Sequence, residues 1–551
     1  MKKYLIALSA LAFATTSCYE KLNIAPPNSI TNEMVQELLK TADDATLVTI
    51  LGAMADALPP HMYGGGYNTR YSGQIDGSWS GQLAIRALSG NDVAYGYLSN
   101  PSDVYYNCGD FIGADYIAVA SYWHRAFTLT NTANKMFNVL TDEILAANSS
   151  LKLRDYYGRG LVIRAYGYLY AMENFGTNSL GMPIYTTYSV AEPDKPRASA
   201  KETYDSIISW ATRADDLFAE AGIGFKATAT SDLTRGLTNY IIARAALLAA
   251  DAEGATASTY LNTASQACDR MIQGAGGPAS LMNESQYVQT ISSYYEENDK
   301  QYPVYQASTS GFMSFDVNPE ALYGFGWQYG GGGSVVSYNN FLTGSYRIDD
   351  RLYNKIDDND FRKDNFHPEE GGTFASAGVN SFIDGTEVQV STYWSTKFAN
   401  NVGLSGGNIG NANNTKQNTV DFAFVRLAEV YLMKAECQAR LGDESGAKTT
   451  LNTLLAARTK SDATTPLNCD NYSSMAGMSA LEMVQLQTRI EMWGEKGLEW
   501  YNNRRWNIAV NRAGSNVHWN PGITYPVSKM TLQIPSEEIG AAPNFGPQNP
   551  L

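Results

Sequence analysis

Apolar residues recur at steps of three and four along several long stretches of the chain, a spacing that puts them on one face of an α-helix. In the stretch 152–175, Leu161, Ala165 and Tyr168 share such a face, and Gly176 ends the pattern. The same spacing predicts further helices at 31–58, 113–147, 201–221, 235–251, 256–273 and 480–506. We therefore predict a mostly α-helical protein.

The C-terminal part of the chain contains two apolar stripes joined by a short turn. One stripe runs from Phe424 to Ala439 and ends at the turn RLGD, and Ala447 and Leu454 continue it on a second helix. Two helices that meet through small residues are typical of a tetratricopeptide unit, and residues 235–273 contain a looser copy. Because such units cannot bury their apolar faces alone, we expect the two pairs to stack on each other.

Two long regions lack helical spacing. Residues 59–110 and 275–420 are rich in Gly, Tyr, Asn and Ser, as in YGGGYNTRYSGQ and YGFGWQYGGGG. Connections of this length are uncommon in compact domains and are usually functional when ordered. We predict a loop insert at 59–110 and a large irregular, loop-rich lobe inserted into the helical scaffold at 275–420.

The N-terminus has the pattern of a secretion signal. Two lysines precede an apolar run at 4–14, which is too short to cross a bilayer as a helix. Residues 15–18, TTSC, resemble the lipobox of bacterial lipoproteins. We predict a signal peptide at 1–17, lipid attachment at Cys18 and an extended leader within 18–30. The alternative is ordinary cleavage that leaves Cys18 as an unmodified thiol.

Charge narrows the choice of ligand. The full chain has a formal net charge of −15, and the predicted cleavage removes two lysines and no acidic residue. A surface of this sign repels phosphate backbones and anionic lipid, which argues against nucleic acid as a partner. A small neutral or polar ligand is the class that remains.

Neither a metal site nor a cofactor is predicted. Four cysteines follow Cys18, with no CxxC spacing, and they permit three pairings among which the sequence does not choose. They are Cys108, Cys268, Cys437 and Cys469. An acidic run around 349–366 leaves room for a structural calcium ion without predicting one, because Phe361 and the missing Gly and Glu break the EF-hand pattern.

Catalysis finds little support in the sequence. The four histidines have neither metal-ligand nor triad spacing. The separation of two carboxylates, which glycoside hydrolysis requires, cannot be read from sequence. We predict no enzyme and no catalytic residue, with a glycoside hydrolase as a competing class.

Six segments, in order, resemble the SusD/RagB-like surface lipoproteins of Bacteroidetes. They are LNIAPPNSIT, SYWHRAFTLTNTANKM, RGLVIRAYGYLYAMENFG, DFAFVRLAEVYLMKAECQARLGD, RIEMWGEKGLEWYNNRRWN and LQIPSEEIGAAPNFGPQNP. The resemblance implies a tetratricopeptide-like scaffold with an N-terminal region at 31–274 and a C-terminal region and tail at 421–551. It also implies an anchored, surface-exposed outer-membrane protein that binds oligosaccharide and delivers it to a SusC-like TonB-dependent transporter. Peptide capture, as in the RagB branch, and a scaffold without any small ligand are the alternatives.

The chain also departs from the family pattern. Leu498 and Glu499 replace an arginine neighbourhood, and Asn502 stands where Asp is common, so a structural ion pair of the family is expected to be absent. Asp360 and Arg362 resemble the family's DPR turn, which we expect to be salt-linked.

Aromatic residues are the candidate ligand contacts. Sugar rings stack their C–H face on aromatic side chains, and polar groups at the rim select hydroxyls. The resemblance implies that contacts come from the two loop zones without fixing the individual residues. From the setting of each ring we predict contacts at Trp79, Tyr95, Tyr97 and Tyr105 with Arg70 and Asn91, and at Trp327 and Tyr329. The alternative is that these rings fill the small cores of their own loops.

Overall fold

The fold is given by a computed structural model that describes part of the chain. The described residues are 31–63, 79–95, 113–189, 194–226, 232–288, 291–297, 300–305, 311–312, 317–325, 346–368, 392–398, 422–518 and 521–551.

Most of the described secondary structure is helical. The α-helices are α1 (Asn32–Leu39), α2 (Asp44–Tyr63), α3 (Trp79–Leu88), α4 (Ile117–Phe137), α5 (Asp142–Ala147), α6 (Leu151–Phe175), α7 (Ala200–Glu220), α8 (Arg235–Ala249), α9 (Ala257–Ala275), α10 (Glu284–Tyr287), α11 (Asp350–Tyr353), α12 (Leu427–Arg440), α13 (Glu444–Ala457), α14 (Ala480–Glu491), α15 (Leu498–Arg505) and α16 (Ser536–Ala541). Short 3-10 helices occupy Gly277–Ser280, Phe361–Asn365 and Val527–Lys529.

The strands are short and pair over long distances in sequence. They are β1 (Val93–Tyr95), β2 (Ile291–Glu297), β3 (Lys300–Tyr305), β4 (Ala321–Phe325), β5 (Tyr346–Ile348), β6 (Phe366–His367), β7 (Trp394–Ser395), β8 (Phe422–Arg426), β9 (Val510–Asn511) and β10 (Thr524–Tyr525). One sheet has the order β1-β5-β7-β6, and three further pairs join β2 to β3, β4 to β8 and β9 to β10. Every pairing among them is antiparallel.

The long helices form a continuous array. In succession, α4 packs on α6, α6 on α7, α7 on α8, α8 on α9, α9 on α12, and α12 on α13 and α14. Where α9 meets α12, Lys434 Nζ lies 2.5 Å from Asp269, while the nearby thiols of Cys268 and Cys437 are buried. The expected stacking of the two helix pairs is confirmed.

Local signals set the ends of these helices. Ser199 and Glu202 form a reciprocal capping box at the start of α7, so two orphan N–H groups gain acceptors. The α9 helix ends at Gly276, whose φ of 97° lies in the left-handed region that glycine adopts without strain. These caps explain why the predicted boundaries of α6 to α9 agree closely with the structure.

Several predicted elements differ from the structure because of caps that helical spacing does not reveal. The predicted helix 31–58 is two helices, since Asp43 Oδ1 accepts from the N–H of Thr46 and starts α2. The helix 113–147 is likewise divided, because Thr141 caps α5. The helix 480–506 is interrupted by a turn in which Lys496 and Gly497 have positive φ.

Two further predictions are corrected: one region predicted as loop contains helix, and one stretch predicted as helix begins as a strand. The loop insert 59–110 contains α3, and α2 continues past its two prolines to Tyr63, with Leu58 and Met62 buried in the core. The stripe beginning at Phe424 starts as a strand, because residues 422–426 pair with β4 and only then continue as α12.

A cluster of buried charges, here called the core ion cluster, joins the inserted region to the C-terminal helices. Its four cations and four anions are Arg362, Lys397, Arg426, Arg458, Glu320, Asp360, Glu491 and Glu495. Arg426 and Arg458 each contact Glu320, at 2.6 and 2.5 Å, with all three side chains fully buried. Arg362 also contacts Asp360 at 2.5 Å, so the expected salt-linked turn is confirmed.

Candidate functional site

The four-stranded sheet brings together the attachment points of the two predicted loop zones. Strands β1 and β5 are antiparallel, with Tyr95 paired to Tyr346 and Val93 to Ile348. Residues 96–112 follow Tyr95 in the chain, and residues 326–345 precede Tyr346. The end of the sheet at this pair of residues is called the loop-bearing edge. The sheet brings together there two points of the chain that are far apart in the sequence.

Asn91, predicted as a ligand contact, lies two residues before β1 and is 7% exposed. Its Oδ1 accepts from the N–H of Asn511 at 2.7 Å, and its backbone carbonyl accepts from His518 Nε2 at 2.9 Å. These contacts tie the start of β1 to the C-terminal segment and favour a structural role for Asn91. Its contact with a ligand stays a prediction.

A second charged group, the edge cluster, lies beside β1 and consists of the buried Asp92 and the half-buried Arg489 and Glu499. Arg489 binds both carboxylate oxygens of Asp92, at 2.5 and 2.8 Å. The carboxylate of Glu499 accepts from the backbone N–H of Asn91 at 2.6 Å and from that of Asp92 at 3.0 Å. A Cβ at Gly90 would collide with this carboxylate, so the turn before β1 requires glycine.

The environment of the edge cluster changes its protonation. Burial raises the pKa of Glu499 to about 7, and the neighbouring charge of Asp92 adds to the shift. Arg489 and the backbone N–H groups oppose the rise without cancelling it. Burial also lowers the pKa of His518 to about 3, so this imidazole is neutral at neutral pH.

Asn502 accepts hydrogen bonds from two arginines. Arg244 donates to Asn502 Oδ1 at 2.7 Å, and Arg505 donates to the same oxygen at 2.9 Å. A neutral amide oxygen therefore occupies the position, while Arg244 forms its ion pair with Glu173 at 2.7 Å.

The other predicted contact residues stay predictions. Trp79 begins α3 and Tyr95 ends β1, and only the backbone of these two is described. Arg70, Tyr97, Tyr105, Trp327, Tyr329, Cys18 and Cys108 lie outside the described residues. The thiols of Cys268, Cys437 and Cys469 are free and buried.

Two properties can be stated for the described part of the chain. No group of three or more His, Cys, Asp or Glu side chains is arranged there to hold a metal ion. Among the helices of those same residues, none combines the length and apolar character that spanning a bilayer requires.

The described helices and their packing define a helical-repeat protein with a small four-stranded sheet. Residues 279–542 match the model of the SusD family, and residues 92–230 match a family described as starch-binding associating with outer membrane. The chain belongs to the SusD/RagB-like family. A comparison with curated protein sequences finds no match.

Solved structures share this fold at low sequence identity. A SusD-like carbohydrate binding protein from Bacteroides vulgatus is 19% identical, with a TM-score of 0.64 over 90% of this chain and 97% of that one. A SusD superfamily protein from Bacteroides thetaiotaomicron is 17% identical, with a TM-score of 0.63 over 92% and 100%. Surface glycan-binding protein A from the same species is 14% identical, with a TM-score of 0.62 over 91% and 98%.

Proposed function

We propose that this protein binds oligosaccharide at the loop-bearing edge and delivers it to a SusC-like TonB-dependent transporter in the outer membrane. The observation that carries the proposal is the pairing of Tyr95 with Tyr346, since it brings together the end of one Tyr-containing segment, residues 96–112, and the end of another, residues 326–345. The family description, starch-binding and associated with the outer membrane, supports a glycan as the ligand. The name of the similar surface glycan-binding protein supports the same class.

Recognition in this proposal is by aromatic stacking. Rings at Trp79, Trp327 and Tyr329 would meet the C–H faces of sugars, while polar neighbours such as Arg70 select hydroxyl groups. Neither matching family description names an enzyme, in keeping with a protein that binds and releases its ligand without bond cleavage. A lipid at Cys18 and the leader after it would hold the binding region at the cell surface beside the transporter.

The test replaces Trp327 and Trp79 with Ala, singly and together. Calorimetric titration with maltoheptaose and with other neutral oligosaccharides should show affinity falling about two- to tenfold for each lost ring, the value expected of a stacking contact. Tyr116→Ala, at a residue that is 40% exposed and outside both loop zones, is the control and should bind normally.

Thermal unfolding of the same variants separates binding from packing. Lower stability with unchanged affinity would mean that the indoles fill the cores of their loops. Competition by a tryptic peptide digest, in place of saccharide, would instead assign the site to peptides.

A further inference from the structure

A groove of about 450 Å³ lies between α4, residues 183–189 with Asp194, and α16, and it shares no residue with the loop-bearing edge or the edge cluster. Its volume is within the range of about 300–1,000 Å³ that small-molecule sites occupy. We call it the aromatic groove. None of its residues was among the predicted ligand contacts.

One side of the aromatic groove is built from packed rings. Trp123 and Phe127 lie with their centroids 4.3 Å apart at an angle of 35°, and Phe545 meets Trp123 edge-on at 5.7 Å. Trp123 is 3% exposed and forms the base, whereas Phe127 is half-buried and reaches the groove surface. The groove therefore offers an aromatic surface that is fixed by the core behind it.

The opposite wall is a loop whose backbone is held by hydrogen bonds at Tyr185 and Tyr188. Asn134 donates to the carbonyl of Tyr185 at 3.0 Å, and Asn138 both donates to and accepts from the backbone of Tyr188, at 2.6 and 3.0 Å. The hydroxyl of Tyr168 accepts from the N–H of Tyr185 at 2.7 Å. The wall is thus fixed before any ligand arrives, which reduces the entropic cost of binding.

The rim carries polar groups that can reach a ligand. Among the described residues, the side chains of Asn131 and Thr128 line the groove without a hydrogen-bond partner. Glu538 is half-buried there, and burial raises the pKa of its carboxyl group. Asp194, also on the rim, is already bound by the N–H of Asn544 at 2.7 Å.

From this arrangement we infer that the aromatic groove binds one or two units of a neutral saccharide, as a second subsite in addition to the loop-bearing edge. An aromatic base with an unpartnered amide and hydroxyl above it matches the apolar face and hydroxyl rim of a sugar ring. The inference rests on the proposed glycan-binding function for its class of ligand.

A peptide fits the same surface less well. Capture of an extended peptide draws on a free strand edge, and the described lining residues belong to helices and to a loop whose backbone groups at Tyr185 and Tyr188 are already bonded. Cationic side chains of a peptide would have little access to the rings of Tyr185 and Tyr188. Lys195 and Lys135 already lie over these rings, 4.9 and 4.7 Å from the ring centroids.

The experiment is hydrogen–deuterium exchange of the whole protein with maltoheptaose, cellohexaose, xylohexaose and mannohexaose as separate probes. Binding in the aromatic groove should protect the segments 123–131 and 183–189. Asn131→Trp fills the groove from a half-buried helical position and should weaken this protection at least about tenfold, the upper range for one stacking contact. Thr263→Trp, at a half-buried position on α9, is the matched control and should keep it.

The outcomes separate this inference from the proposed function. Protection of both segments that survives Trp79→Ala and Trp327→Ala but not Asn131→Trp supports the second subsite, even if the loop zones prove not to bind. The inference is overturned if no saccharide protects the two segments, if Asn131→Trp leaves protection unchanged, or if only a tryptic peptide digest protects them. Loss of affinity confined to the two Trp variants would then leave the proposed function intact.

Discussion

Glu491, Glu495 and Glu499 follow one another at intervals of four residues, yet they belong to two buried regions with opposite electrostatics. Burial alone would raise the pKa of Glu491 and of Glu495, but the surrounding cations hold both below the ordinary value. Burial does raise the pKa of Glu499, to about 7, because the charge of Asp92 adds to it and Arg489 donates both of its hydrogen bonds to Asp92.

The comparison shows that the count of opposite charges, more than burial, decides whether a buried carboxylate stays ionised. In the core ion cluster four cations face four anions, and the cations hold the pKa values of Glu491 and Glu495 below the ordinary value, so these two carboxylates stay ionised at neutral pH. Burial lowers the pKa of Lys397 in the same cluster to about 8. In the edge cluster two carboxylates face one arginine, so one of them exchanges a proton near neutral pH. This titrating group lies directly beneath the strand that carries the loop-bearing edge.

The largest expected effect comes from breaking the balance of the core ion cluster. Arg458→Met leaves Glu320 and Glu491 with one cation fewer in a fully buried setting, and it should lower the free energy of unfolding by about 3–5 kcal/mol. Chemical denaturation measures the change. Arg440→Met, whose partner Asp251 is partly exposed, is the control and should cost about 0–1 kcal/mol. Equal losses for the two variants would contradict the comparison.

In the edge cluster, Glu499 should make the free energy of unfolding fall as the pH rises, the opposite of the change expected for a carboxylate whose pKa is lowered on folding. Because the pKa of Glu499 is raised on folding, its contribution is fully present below about pH 4.5 and is lost as the pH rises through about 7, by up to about 3 kcal/mol. Burial of His518 lowers its pKa and adds a rise in unfolding free energy with pH over part of the same interval, so the test compares two slopes. Glu499→Gln should remove the falling contribution, so that its unfolding free energy rises more with pH than that of the unmodified protein. Denaturation curves at several pH values test it.

Glu482→Gln is the control for the pH dependence. Glu482 is exposed and forms a capping box with Ser479 at the start of α14. Backbone and side-chain hydrogen bonds from Ser479 lower the pKa of Glu482. Its contribution is lost only on acidification below the ordinary carboxyl range, so the slope between about pH 5 and 7 should stay as in the unmodified protein. A pH dependence of Glu499→Gln that is identical to that of the unmodified protein would assign the titration to another group.

The smallest expected effect concerns an ion pair on the surface of the helical array. Lys434→Ala removes the contact with Asp269. The two side chains are 25% and 55% exposed, so the free energy of unfolding should fall by less than about 0.5 kcal/mol. The same denaturation assay measures it. A cost approaching that of Arg458→Met would show that α9 and α12 depend on this pair and not on their apolar contact.

Helices with strong periodicity and local caps could be predicted from the sequence. Stretches such as 152–175 and 201–221 carry both signals, and the structure places α6 and α7 there. The strand at Phe424 could not be recognised, because its apolar residues continue in register with those of α12 and its partner β4 lies far away in the sequence. Pairing over such distances leaves no local pattern.

The site was predicted less completely than the fold. The two aromatic zones could be chosen from composition, but the register that joins Tyr95 to Tyr346 depends on a sheet of very short strands. The aromatic groove was missed because its residues come from three separate segments, and Trp123 was read only as part of a family motif. Asn91 was chosen for its position beside tyrosines, whereas its polar atoms satisfy backbone groups of the C-terminal segment.

The pairing of β1 with β5 also constrains the order in which the polypeptide can mature. Strand β1 is synthesised long before its partner, so its hydrogen-bonding groups stay unpaired until residues 346–348 are made. Distant pairings of this kind slow folding, and an open strand can associate with other chains in the meantime. Early helices can pack on their own, but the sheet that carries the loop-bearing edge is completed only late in synthesis.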